Sequence, residues 1–252
     1  MSDLLVWLVE PLQFGFMRRA LLVSLVAGVV CAILSCWITL IGWSLLGDAV
    51  SHAVLPGIVL AYLLALPFSL GAFVFGALAV ALISGVRNTT RLKGDAAIGV
   101  VFTGLFAVGL VLVSRIPSQV DLNHILFGNV LGVTDGDIAQ VLVISAITLA
   151  IALVRRRDLT LYAFDPTHAH AIGLRPKRIG ALLLAMLALT VVVALQAVGV
   201  ILVTAMLITP GATAFLLTRR FPRMLATASS LSVGSGIAGT YLSFHEIGRA
   251  HV

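Results

Sequence analysis

Apolar residues fall in blocks of roughly 18–25, the length a helix needs to cross the hydrocarbon core of a bilayer, separated by short polar stretches. Eight such blocks, at about 20–42, 47–66, 69–86, 96–114, 137–154, 179–196, 198–217 and 224–243, predict eight transmembrane helices. No hydrophilic stretch between them is long enough for a separate soluble domain, so residues 1–245 read as a single all-α, polytopic membrane domain. Ahead of the first block, Leu4, Leu5, Trp7 and Leu8 suggest a short interfacial helix. Met1–Phe16 lacks the early positive charge of a cleavable signal, so the first membrane segment is expected to be retained.

Composition agrees with the block pattern. The 252 residues are 60% apolar and 10% charged, against about 45–50% and about 25% in soluble domains, which excludes a water-soluble globule. A net charge of +6 would point to nucleic acid in a soluble protein. Here twelve of the sixteen basic residues lie in alternate loops: Arg87, Arg91 and Lys93; Arg155, Arg156, Arg157, Arg175, Lys177 and Arg178; Arg219, Arg220 and Arg223. The positive-inside rule makes those loops cytoplasmic and no nucleic-acid partner is expected. Alternation then puts the amino terminus outside, against which Arg18 and Arg19 argue. Cys31 and Cys36 fall on different faces of one apolar segment, so neither a disulfide nor a thiolate metal site is expected.

The chain ends on Glu246-Ile247-Gly248-Arg249-Ala250-His251-Val252, with no closing hydrophobic segment. Ile247–Val252 is also what ATC GGA AGA GCA CAC GTC encodes, which resembles a sequencing adapter read through in frame. Residues 246–252 are therefore expected to be non-native, and a final membrane helix to be missing after His245.

Asp48 and His52 carry the first candidate chemistry. Asp in the middle of a membrane helix costs of order 2.5–3.5 kcal/mol on insertion scales, so it needs a reason to be there. At a spacing of four they stand one turn apart on one face. A hard oxygen with an imidazole nitrogen suits Mn²⁺, Fe²⁺ or Zn²⁺. Pro56 has no N–H to give to the His52 carbonyl, which leaves that oxygen for water, a neighbouring helix or an ion. The other reading stays open: Asp48 caps the helix at the interface and His52 bonds a neighbouring helix.

Several motifs carry a resemblance to a known family. They are Gly47-Asp48-Ala49-Val50-Ser51-His52-Ala53-Val54-Leu55-Pro56-Gly57, Gly94-Asp95-Ala96-Ala97-Ile98-Gly99-Val100-Val101-Phe102, His124-Ile125-Leu126-Phe127-Gly128-Asn129, Gln196-Ala197-Val198-Gly199 and Leu207-Ile208-Thr209-Pro210-Gly211-Ala212. From Phe14 to His245 the chain resembles the permease subunits of metal-type ABC importers, which take up manganese, iron or zinc. The approach Leu40-Ile41-Gly42-Trp43-Ser44 and the stretch from Asp121 to Asn129 look more like the manganese/iron branch. The resemblance implies a multi-pass protein of the bacterial inner membrane and a homodimer whose path runs along the two-fold axis. Asp48 and His52 of each copy would line that path as a transient site, with the divalent ion as cargo and no permanent cofactor. It also implies a cytoplasmic ATPase subunit and an extracytoplasmic metal-binding protein as partners.

Within the basic loop 155–178, Asp165 fits an N-cap, Pro166 the first helical position, and Gly173 a terminator after one or two turns. By resemblance this short helix is the coupling element that docks on the ATPase, with Asp165, Pro166, Ala169 and Gly173 as its marks; a loop that merely turns the chain is the alternative. His168 and His170, two apart, do not share a face and are expected to contact a partner or solvent rather than a metal. In the outer loop, Asp121, Asn123, His124, Asp135 and Asp137 offer either an attraction for a cation or delivery protein, or simple helix capping. Pro210-Gly211 is expected to interrupt the seventh helix.

The chain has no G-x-x-x-x-G-K-[ST] phosphate loop, so it is not expected to be an enzyme and any ATP hydrolysis belongs to another subunit. His245-Glu246-Ile247-Gly248-Arg249 lacks the second histidine of an intramembrane metalloprotease. The remaining alternative is an ATPase-independent secondary metal transporter.

Overall fold

The computed structural model describes residues 10–43, 46–66, 68–90, 94–115 and 133–249. Their regular elements are all helices: α1 (Gly15–Ile41), α2 (Leu46–Ala53), α3 (Leu55–Leu63), α4 (Phe68–Thr89), α5 (Gly94–Arg115), α6 (Asp135–Val154), α7 (Arg156–Phe164), α8 (Pro166–Ala171), α9 (Pro176–Val198), α10 (Val200–Leu217) and α11 (Phe221–Arg249). Among the described residues, seven spans are long and apolar enough to cross a bilayer, with α2 and α3 together forming one. The eighth predicted block forms α11, a 29-residue helix whose interleaved Ser, Thr and Gly keep it out of that set. The residues expected to form an interfacial helix, Leu4, Leu5, Trp7 and Leu8, lie outside the described residues, as do Ala250–Val252.

Burial divides the bundle into layers. The apolar windows of α1, the α2–α3 pair and α9 are 72%, 72% and 67% buried, whereas those of α4, α5 and α6 are only 22% buried. The first three therefore form the inner wall and the others turn long apolar faces outward, as lipid contact requires. Within α1, Trp37 is wholly buried, donates from Nε1 to Thr160 Oγ1 of α7 at 3.2 Å, and packs its ring 5.4 Å from Phe221. Gly42 closes α1 at φ +79°, a left-handed turn that a side chain would strain, and the Trp43 N–H returns to the Ile38 carbonyl at 2.9 Å.

The two ends of the bundle are distinguishable by their contacts. Arg87 at the end of α4 lies 4.3 Å over the Trp43 ring, and both line a cavity with Tyr162 of α7 and Lys177 of α9. Arg87 and Lys177, from two of the basic loops, thus meet at one end. At the other, Phe14 meets Phe244, and Arg19 pairs with Asp135 at 2.9 Å. That ion pair offsets one of the two arginines whose charge argued against an outward amino terminus.

One expectation about helix continuity holds and one is corrected. The second span forms as expected and loses one helical bond, because Pro56 cannot donate to His52; Val54 keeps helical dihedrals (φ −74°, ψ −23°) and Ile58 N–H bonds Val54 O at 3.1 Å. Conversely, Pro210 does not interrupt α10, which runs through it from Val200 to Leu217. Ser35 of α1 braces the helix on both sides of the proline: its hydroxyl accepts from the Gly211 N–H at 3.1 Å and donates to the Ile208 carbonyl at 3.4 Å.

Candidate functional site

α2 is only eight residues long, and its first turn carries Asp48 and its last His52. A carboxylate in the first turn of a helix is favoured by the exposed N–H groups there. His52 Nε2 stands 3.3 Å from Asp48 Oδ1, and the two side chains are 25% and 34% exposed. Ligands bound at about 2.1 Å lie about 3.0 Å apart at a right angle and about 3.4 Å apart at a tetrahedral angle, so this separation already suits two ligands of one ion. The pair is reachable from outside the protomer, yet held in place by its surroundings.

The imidazole ring sits beside two phenyl rings of α5, at 5.5 Å from Phe102 and 5.2 Å from Phe106, the latter edge-on. α5 spans Gly94–Arg115, so both phenylalanines lie near its middle, and the imidazole stands at mid-height in the bundle rather than at an end. On the other flank, a Cβ at Gly47 would come within 3.0 Å of Leu207 of α10; the small residue lets α2 begin against the middle of that helix. The second span thus carries an acid and an imidazole on its first turns, against the middles of α5 and α10. Among the described residues no group of three or more His, Cys, Asp and Glu side chains comes together, so one protomer offers two ligands here. Phe102 and Phe106 were not read as part of the site: their spacing says that they share a face, but nothing local says which residue that face meets.

The cytoplasmic candidate also forms. Asp165 accepts from the Thr167 and His168 N–H groups, each at 2.9 Å, and Pro166 opens α8. The Gly173 N–H returns to His170 O at 3.0 Å and the Leu174 N–H to Ala169 O at 3.0 Å, a closed turn made possible by φ +89° at Gly173. Ala169 is fully buried, whereas His168 and His170 are exposed. Replacing Asp165 with Ala should cost about 1 kcal/mol locally. Hydrogen exchange would read it as faster exchange at the Thr167 and His168 amides, with the Gly173 and Leu174 amides following as the turn frays. Ahead of α8 stands a helix that the sequence reading missed, α7, starting within the Arg155-Arg156-Arg157 run and held by Trp37 and by an Arg155–Asp158 ion pair at 3.0 Å.

At the opposite end both described acids of the outer loop have local partners. Asp137 and Thr134 form a reciprocal cap at the start of α6, and Asp135 pairs with Arg19. That bears out capping for Asp137, while Asp135 is an ion-pair partner instead; Asp121, Asn123 and His124 lie outside the described residues. Cys31 and Cys36 are buried free thiols.

Comparison with known proteins agrees with this architecture. The chain is 59% identical over 239 residues to the manganese transport system membrane protein MntB of Synechocystis, covering 95% of this chain and 78% of that one. It is 52% identical over 236 residues to the chelated iron transport system membrane protein YfeD of Yersinia pestis, covering 94% and 80%. Among solved structures it resembles PsaBC from Streptococcus pneumoniae, determined in complex with a Fab, at 37% identity and a TM-score of 0.78, covering 95% of this chain and 93% of that one. The profile of the ABC 3 transport family matches residues 13–248, and the chain is therefore a multi-pass membrane protein of that family.

Proposed function

We propose that the chain is the permease subunit of an ATP-driven importer of divalent transition-metal ions, with Mn²⁺ as its principal cargo. The observation that carries this reading is the Asp48–His52 pair, 3.3 Å apart and at mid-height in the bundle. The manganese and iron systems named for its relatives support the metal class. Two copies related by a two-fold axis would bring two carboxylates and two imidazoles to one ion. The ion is cargo, so the site must bind loosely enough to release it; a thiol-free set of carboxylates and imidazoles holds Mn²⁺ more weakly than the later divalent metals. A separate cytoplasmic ATPase would push on α8, whose cap and closing turn make it a compact handle, while a separate extracytoplasmic protein would deliver the ion. Switching of access is then a shift between two states of the paired helices, driven by nucleotide binding elsewhere.

Uptake of radioactive Mn²⁺ by cells lacking their own manganese importer tests this, with the chain co-expressed with its ATPase and delivery protein. Accumulation should require the ATPase and should be inhibited by Fe²⁺ and, because later metals bind nitrogen–oxygen sites more tightly, strongly by Zn²⁺. Accumulation that persists when the ATPase is inactivated would overturn the ABC reading in favour of secondary transport.

A further inference from the structure

A cavity of about 150 Å³ opens at the basic end of the bundle, away from Asp48 and His52. It lies between α4, α7 and α9, and its polar lining is Ser84, Arg87, Tyr162 and Lys177. Arg87 is not extended into water, as a residue that merely marks topology would be. Its guanidinium is folded back over the Trp43 ring at 4.3 Å and shares the cavity wall with the Tyr162 hydroxyl. None of the three ion pairs among the described residues involves Arg87 or Lys177. Burial pushes the Tyr162 phenol up from its ordinary range, with Arg87 pulling it the other way, so the hydroxyl stays a donor at neutral pH. A half-buried cation pinned beside an open cavity, with a second cation at the rim and two hydroxyls in the wall, lacks one thing: an anion.

We propose that this cavity binds a phosphate group, with Arg87 and Lys177 as its charged contacts and Tyr162 and Ser84 as its hydroxyl contacts. Size fits that group. At about 10–15 Å³ of such space per water, the cavity holds roughly ten to fifteen waters, ample for one phosphate and its solvent. Location favours a phospholipid headgroup as the source: the cavity lies where α4 ends and α9 begins, at the basic end of a membrane-spanning bundle. Basic pockets between membrane helices take acidic headgroups in this way. A bound headgroup would tie α7, and through it the docking helix α8, to α4 and α9.

The test is thermal unfolding of the purified chain in detergent, with phosphatidylglycerol, phosphatidylcholine, or phosphatidylcholine plus inorganic phosphate. Phosphatidylglycerol should raise the midpoint by about 4 °C over phosphatidylcholine. Arg87→Gln should remove that shift, Arg87→Lys should keep part of it, and Lys177→Gln, at an exposed position that the fold tolerates, should at least halve it. If inorganic phosphate gives the whole shift and the variants lose it, the site stands and its ligand is a free phosphate. Equal midpoints in all three conditions for the wild type, or a full shift retained by both Arg87→Gln and Lys177→Gln, would overturn the proposal. Neither result bears on Mn²⁺ uptake, which separates this site from the transport reading.

Discussion

Asp48→Asn should lower Mn²⁺ uptake by about 100-fold or more while the protein still accumulates in the membrane. Loss of a residue that only supports a ligand typically costs about 10–100-fold in metal affinity, so loss of a charged ligand belongs at or beyond the top of that range. The substitution keeps the size and one oxygen of the side chain, and Asp48 is 34% exposed, so folding is little affected. In a homodimer the single change removes both carboxylates at once. His52→Ala should have a comparable effect, with an added packing loss against Phe102 and Phe106. The sharper measurement is the double variant. Two groups that act as one site lose little more together than apart, because the first loss already empties it. If Asp48→Asn and His52→Ala each leave uptake intact, the ion does not pass over this pair. If the double variant multiplies two large single effects, they serve separate steps.

That pair was legible in the sequence because its geometry is local: four residues along one helix fix the spacing before any tertiary contact forms. The cap at Asp165, the opening Pro166 and the turn at Gly173 were legible for the same reason, each acting on backbone groups within a few residues. Span positions followed from hydropathy alone. What failed depended on partners far along the chain. Pro210 looked like a break because what braces the helix there lies 175 residues away, in the Ser35 hydroxyl. α7 was taken for loop because a run of three arginines reads as a solvated turn; its anchor, Thr160, is paired with a tryptophan in the first span. The placing of His52 between two phenyl rings is likewise a tertiary result. Sequence thus set the local spacing of the candidate pair and left open what surrounds it.

The same substitution, Gly to Ala, should have opposite signs at two positions of the bundle, and the difference follows from how closely helices approach. In an exposed helix interior, Ala is favoured over Gly by about 1 kcal/mol through backbone entropy alone. Gly85 on α4 has nothing within 4 Å of an added Cβ, so Gly85→Ala should be neutral or slightly stabilising. Gly57 on α3 faces Gly71 on α4 with the two backbones in contact. An added Cβ would collide with the Gly71 carbonyl oxygen, and it would lie 2.8 Å from both the carbonyl carbon and Phe75 Cβ. Backbone cannot rotate away as a side chain does, so the helices must part, and overpacking of this kind costs about 1–3 kcal/mol or more. Close approach through small residues is what holds membrane helices together where no hydrophobic drive exists, so the loss falls on the main contact between α3 and α4. Unfolding midpoints in detergent would show Gly57→Ala well below wild type and Gly85→Ala at or above it. Because α3 follows directly from the turn that ends α2, parting it from α4 also moves His52, and Gly57→Ala should reduce uptake even in protein that survives purification. Equal midpoints for the two variants would mean that the α3–α4 contact gives way freely, and the second span would then have to be held by α5 and α10 instead.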